Sequence, residues 1–138
     1  MPQQFTIRLD GQTRSLSRLL HRLAAHHVGV RAFAVAEIDD TSTVVVMTSD
    51  DSATQSILRE HKYPYVSSEV VVTSVPDKEF ALANLFAQIG HAGISLHGLS
   101  LLRWHQGKAE LALSGDNPAA LQQVLSACQV DRLMEPVN

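Results

Sequence analysis

Cysteine is nearly absent from this chain: Cys128 stands alone among 138 residues. A single thiol cannot close an internal disulfide, which excludes a cross-linked scaffold and suits a reducing compartment. No basic excess exists either. The net charge is −3, so nothing in the composition would neutralise phosphates, and no nucleic-acid partner is expected. Eighteen apolar residues never run together, so no membrane span is expected. The start, Met1 to Ile7, lacks a basic region followed by an apolar stretch, so no signal peptide is expected. A cytoplasmic, soluble protein is the expectation.

Catalytic patterns are missing as well. There is no Gly-rich phosphate loop and no Gly-x-Ser-x-Gly, and neither Cys nor His stands in a supporting arrangement. The seven histidines include no i, i+4 pair and no zinc-site spacing. No enzyme activity, no metal and no cofactor are therefore expected. What is present is apolar material: 45% hydrophobic and 18% charged residues are enough to build a packed interior.

That material is arranged twice. Leu16, Leu19, Leu20 and Leu23 fall at i, i+3, i+4 and i+7, the stripe of an amphipathic helix, and Leu82, Leu85, Phe86 and Ile89 repeat the spacing 66 residues later. Strand signals flank each stripe. Phe5, Ile7 and Leu9 alternate with polar residues before the first helix, and Val70–Val75 precedes the second. Longer strands are expected over 28–38 and 94–104, each turning back at a hairpin, Asp39-Asp40-Thr41 and His105-Gln106-Gly107. Return strands at 43–48 and 108–114 lead to helix starts. Asp50-Asp51-Ser52 supplies capping side chains to one, and Asn117 with Pro118 at the first helical position supplies the other. Short last strands near 65–68 and 130–134 close the units.

The order is βαββαβ twice. It implies α+β architecture: two tandem ferredoxin-like units, 1–68 and 69–138, each an antiparallel sheet with its helices on one face. Units of sixty-odd residues are marginal alone, so the pair is expected to pack side by side.

The stretch 5–30 reads strand, polar loop, Leu-x-x-Leu-Leu-x-x-Leu helix, then His27-Val28-Gly29-Val30. The stretch 71–96 repeats it and ends His91-Ala92-Gly93-Ile94-Ser95-Leu96. Both resemble the ACT family. The resemblance implies a non-catalytic regulatory module that binds an amino acid or similar small molecule where two units meet. Carried onto this sequence, the ligand loop is Asp10, Gly11, Gln12, Thr13 and Arg14 in the first copy, and Pro76, Asp77, Lys78, Glu79 and Phe80 in the second. The strand-entry contacts are Gly29 and Val30, then Ser95 and Leu96. Arg14 and Phe80 stand where the family has its loop glycine, and Gly29 and Ser95 where it has asparagine.

Other features have structural readings. Arg14, Arg18 and Arg22 form a basic ridge opposite the leucine stripe. His27 occupies the place of Gly93, where a helix terminator calls for positive φ. Trp104 is expected to anchor packing, and Cys128 to sit in the core. Several strands are apolar at both parities, among them Phe33 and Val35 with Ala32, Ala34 and Ala36. An apolar sheet face left without cover points to a homodimer, or to docking on a metabolic enzyme as a ligand-free subunit.

Overall fold

A computed structural model describes residues 2–127. Pro2–Ser68 forms one compact unit and a second begins at Glu69.

The N-terminal unit runs β1 (Gln3–Asp10), α1 (Thr13–Ala25), β2 (Val30–Ile38), β3 (Thr41–Thr48), α2 (Asp51–Glu60) and β4 (Tyr65–Glu69). Its sheet has the order β2-β3-β1-β4. The antiparallel register sets Phe5 opposite Val46 and Ile7 opposite Val44. This one parity is the core side. Phe5, Ile7, Leu9, Val44 and Val46 pack against Leu19 of α1 and Leu58 of α2, so both helices cover the same face. Leu23, Val28 and Ile57 extend the contact between the helices.

The C-terminal unit repeats the plan as β5 (Val71–Pro76), α3 (Ala81–His91), β6 (Leu96–His105), β7 (Lys108–Gly115) and α4 (Pro118–Ala127). Among the described residues its sheet has three strands, β5-β7-β6. The fourth strand expected at 130–134 lies outside the described residues, as does Cys128. The core is built the same way: Val71, Val75, Leu111 and Leu113 meet Leu85 and Ile89 of α3 and Leu121 of α4. The fold is α+β, with ferredoxin-like units in tandem.

Local chemistry explains the element ends. Asp50 Oδ1 accepts from the Ala53 amide at 3.0 Å and caps α2, and Asn117 Oδ1 does the same for Ala120 in α4. Both hairpins have two-residue turns with positive φ at each residue, Asp39 (50°) with Asp40 (63°) and Gln106 (52°) with Gly107 (74°). That is the type I′ geometry, whose twist matches paired strands. After α1 and α3 the chain turns through His27 (φ 57°) and Gly93 (φ 74°). The left-handed terminator expected at both places is there.

One expectation changes place. The sequence pattern leads one to expect the apolar surplus on the sheet face away from the helices. The register instead pairs Phe33 with Val46 and Val35 with Val44, and Leu99 with Leu113 and Leu101 with Leu111. Directly paired residues share a face. These four side chains therefore lie on the core side, yet remain 41–46% exposed, because β2 and β6 are edge strands that the helices leave uncovered.

Candidate functional site

In the N-terminal unit, β1 ends at Asp10 and α1 begins three residues later. No side chain of the N-cap residue, Gln12, caps the helix. Asp10 orders the approach to the helix instead: its Oδ1 accepts from the Gln12 amide at 3.1 Å and from Ser15 Oγ at 2.6 Å. The Ser15 hydrogen bond, then the Gln12 amide, hold the Asp10 carboxyl below the usual carboxylate range, helped by nearby Arg18 and opposed by slight desolvation. Thr13 and Arg14 occupy the exposed first turn. Gly11 is where the loop touches the β2–β3 turn: a Cβ there would sit 2.9 Å from the Asp40 carbonyl oxygen and 3.0 Å from Glu37 Oε1. The cleft of about 330 Å³ at this loop is lined by Asp10, Gly11, Gln12, Glu37 and Asp40. Three carboxylates around so small a space repel the carboxylate of an amino acid.

The matching loop of the C-terminal unit is different in kind. The Asp77 amide donates to the Gly107 carbonyl at 2.9 Å, and the Ala81 amide to the Lys78 carbonyl at 3.1 Å. Asp77, Lys78 and Glu79 are thereby held over the edge of the sheet with their side chains exposed. They rim a cleft of about 400 Å³ whose walls include Leu82, Leu99, Leu101 and Trp104. No side chain caps the start of α3 at Phe80; the Ala81 amide is met by the Lys78 carbonyl and the Asn84 amide by the Phe80 carbonyl. The site combines an apolar pocket with charges of both signs at its mouth.

The strand-entry residues are engaged locally. The Gly29 amide donates to Ser49 Oγ at 2.8 Å, and the Gly29 carbonyl accepts from the Ser49 amide at 2.8 Å. Val30 pairs with Thr48. In the second unit the Ser95 carbonyl accepts from the Asp116 amide at 3.1 Å, and Leu96 pairs with Gly115.

No family model matches this chain, and no curated protein matches its sequence. Solved structures do match it in fold. A protein from Bacteroides thetaiotaomicron superposes with a TM-score of 0.79 at 20% identity, over 91% of this chain and 86% of that one. The ligand-free regulatory subunit of aspartate kinase from Thermus thermophilus superposes at 0.64 with 12% identity, over 97% of this chain and 93% of that one. The corresponding subunit from Thermus flavus gives 0.59 at 13% identity, over 98% and 95%. Each match spans both units. The fold is that of tandem ACT units.

Within each unit, loop and strand entry lie at opposite ends of the sheet. Asp10 pairs with Thr41 and Val30 with Thr48; seven residues of β3 separate the two levels, about 23 Å at ~3.3 Å per residue. The same step from Lys108 to Gly115 separates the Asp77 loop from Leu96. Neither unit by itself brings its two sets of candidate residues together.

The residues that sequence reasoning missed are the walls of the C-terminal cleft. Leu99 and Leu101 carry no site expectation from the sequence, and Trp104 is expected there only to anchor packing. Trp104 is 60% exposed and lines the cleft instead. The signal that would have found them is their register against Leu111 and Leu113, which marks the core side of an edge strand. Among the described residues no group of three His, Cys, Asp or Glu could hold a metal ion, and no helix is long and apolar enough to cross a membrane. The arginine ridge is partly engaged: Arg22 Nη1 donates to Tyr63 Oη at 3.1 Å and its guanidinium lies 5.7 Å from the Tyr63 ring centre.

Proposed function

We infer that this chain is a non-catalytic regulatory protein that senses an amino acid or a similar small molecule, and that the cleft beneath Asp77, Lys78 and Glu79 is where the ligand's side chain goes. One observation carries the reading. The loop that the ACT resemblance marks for ligand contact rims an apolar cleft of about 400 Å³ in the C-terminal unit, the size and character of a small-molecule site. Leu82, Leu99, Leu101 and Trp104 suit an apolar or aromatic side chain. Lys78 suits the α-carboxylate, and Asp77 or Glu79 the ammonium. The matching N-terminal loop, with Asp10, Glu37 and Asp40 around it, is the poorer site, so one ligand per chain is expected. The regulatory subunits of aspartate kinase that share the fold support the regulatory side of the reading.

Calorimetry of the chain against the standard amino acids tests this. Saturable heat from an apolar or aromatic member, lost on Lys78→Ala, supports the proposal; silence across the panel refutes it.

The exposed Phe33 and Val35 on β2 favour a second role alongside the first, self-association through the sheet of the N-terminal unit.

A further inference from the structure

Helix α1 carries charge of one sign only. Between Thr13 and Ala25 it holds Arg14, Arg18 and Arg22 and no acidic residue. Like charges four apart on a helix repel each other, and a merely solvated helix face usually interleaves acids with its bases. The neighbouring elements do not relieve this repulsion with ion pairs. Among the described residues the one ion pair joins Arg103 to Glu110, in the other unit.

Two of these arginines, Arg18 and Arg22, line a cleft of about 320 Å³ between β1, α1 and the turn that joins α2 to β4. Arg8 of β1 and His61 of the turn line it too. Asp10 is the one carboxylate among its lining residues, and its Oδ1 is already engaged by the Gln12 amide and Ser15 Oγ. Three arginines against one aspartate leave the wall with an excess of two positive charges when His61 is neutral.

Arg22 is also held in place. Its Nη1 donates to Tyr63 Oη at 3.1 Å, its guanidinium lies 5.7 Å from the centre of the same ring, and both residues are half-buried. A guanidinium fixed in this way loses little freedom on meeting an anion, and its planar fork keeps further N–H donors for one.

The chemistry of the wall selects the class of ligand. A phosphate monoester carries roughly −1.5 to −2 charges at neutral pH and three strong acceptor oxygens. That matches both the excess charge and the bidentate habit of arginine. An amino-acid zwitterion has no net charge to set against the wall. A polynucleotide needs a positive track along the surface, and the surface beside this cleft turns acidic: across the loop at Gly11, Glu37 and Asp40 join Asp10 around the neighbouring cleft.

We propose that the cleft between β1, α1 and the α2–β4 turn binds a phosphate dianion, free or as the monoester of a small molecule, with Arg18 and Arg22 as its principal contacts and Arg8 and His61 in support. This ligand is chemically distinct from the amino acid expected in the C-terminal cleft. The site stands whether or not that cleft is filled.

Calorimetry on the full chain with inorganic phosphate and with glycerol phosphate tests it, at an ionic strength held constant with chloride and with glycerol as the control that lacks phosphate. At least one phosphate probe is expected to bind saturably with a Kd below about 1 mM, and to raise the melting temperature as it does so. A tighter ester assigns the site to a phosphorylated small molecule, and equal affinities assign it to the free anion; either supports the proposal. Arg18→Gln and Arg22→Gln are each expected to weaken binding about tenfold or more, with circular dichroism confirming that each variant is folded. Tyr63→Phe keeps the ring but releases Arg22 Nη1, and is expected to weaken binding about threefold. Arg31→Gln makes the same change of charge in the same unit but outside the cleft, and is expected to bind as wild type does. No saturable binding of either probe up to about 10 mM overturns the site. So does a loss of affinity in Arg31→Gln as large as in Arg18→Gln, because the attraction would then be diffuse and not built into the cleft.

Discussion

Replacing Gly11 and Gly90 by alanine makes the same chemical change at two places and is expected to move stability in opposite directions. Gly90 lies in α3 with nothing within 4 Å of an added Cβ. Glycine inside a helix costs roughly 0.8–1.0 kcal/mol relative to alanine, less near the end, so Gly90→Ala should stabilise the chain by about 0.5–1 kcal/mol. Gly11 has the same unfolded-state entropy to gain, about 0.4–1 kcal/mol. Its added Cβ, however, meets the Asp40 carbonyl oxygen at 2.9 Å. That oxygen belongs to the backbone of a two-residue turn in which Asp39 and Asp40 are both left-handed, so it cannot swing aside as a side chain would. Forcing one methyl into a closed contact costs about 1–3 kcal/mol, and the net for Gly11→Ala is a loss of about 1–2 kcal/mol. Urea unfolding followed by far-UV circular dichroism reads both variants. The midpoints should move to opposite sides of wild type with slopes unchanged, and the melting temperatures should separate by about 3–12 °C at roughly 2–4 °C per kcal/mol. A Gly11→Ala variant as stable as wild type would show that the loop and the β2–β3 turn do not press on each other.

Three further outcomes follow from the same geometry. Asp50→Ala removes the acceptor for the Ala53 amide and should cost about 1 kcal/mol by thermal melting, while Asp50→Asn should cost much less. Leu85→Ala empties a side chain that is 1% exposed in the C-terminal core and should cost about 2–5 kcal/mol, read as a shifted denaturation midpoint. Asp10 has a folded pKa below its ordinary 3.8, so its contribution to stability is fully present above that value and is lost as pH falls through 3.8 towards the folded value; Asp10→Asn should flatten that part of the acid-unfolding profile, and an unchanged profile would remove the Ser15–Asp10 contact from the account.

Much of the fold could be read in the chain because the signals were local. The two leucine stripes, the turns at Asp39-Asp40 and Gln106-Gly107, the caps Asp50 and Asn117, and the left-handed position shared by His27 and Gly93 each depend on residues close in sequence. What could not be read depends on how far one element extends over another. Alternation told which residues of β2 and β6 share a face, but not that the helices stop short of those edge strands and leave Phe33, Val35, Leu99 and Leu101 uncovered on the core side. Trp104 was misread for the same reason. The start of α1 is not marked by any local capping signal: its N-cap Gln12 makes no side-chain cap bond, and Asp10, two residues before it, gathers both the Gln12 amide and the Ser15 hydroxyl. The candidate loops were found in both copies by resemblance, but their opposite characters, an acidic cleft at Asp10 and an apolar one at Asp77, come from residues on the neighbouring hairpin and edge strand that are distant in sequence.

Trp104 is the chain's one tryptophan and lines the C-terminal cleft, so its emission reports on that cleft with no label and no competing signal. Titration with the amino acid that gives heat in calorimetry should shift Trp104 emission to the blue, saturate at the calorimetric Kd, and disappear in Leu101→Glu. Heat without any change in Trp104 emission, or binding untouched by Leu101→Glu, would place the ligand elsewhere and contradict the sensing site described for the C-terminal unit.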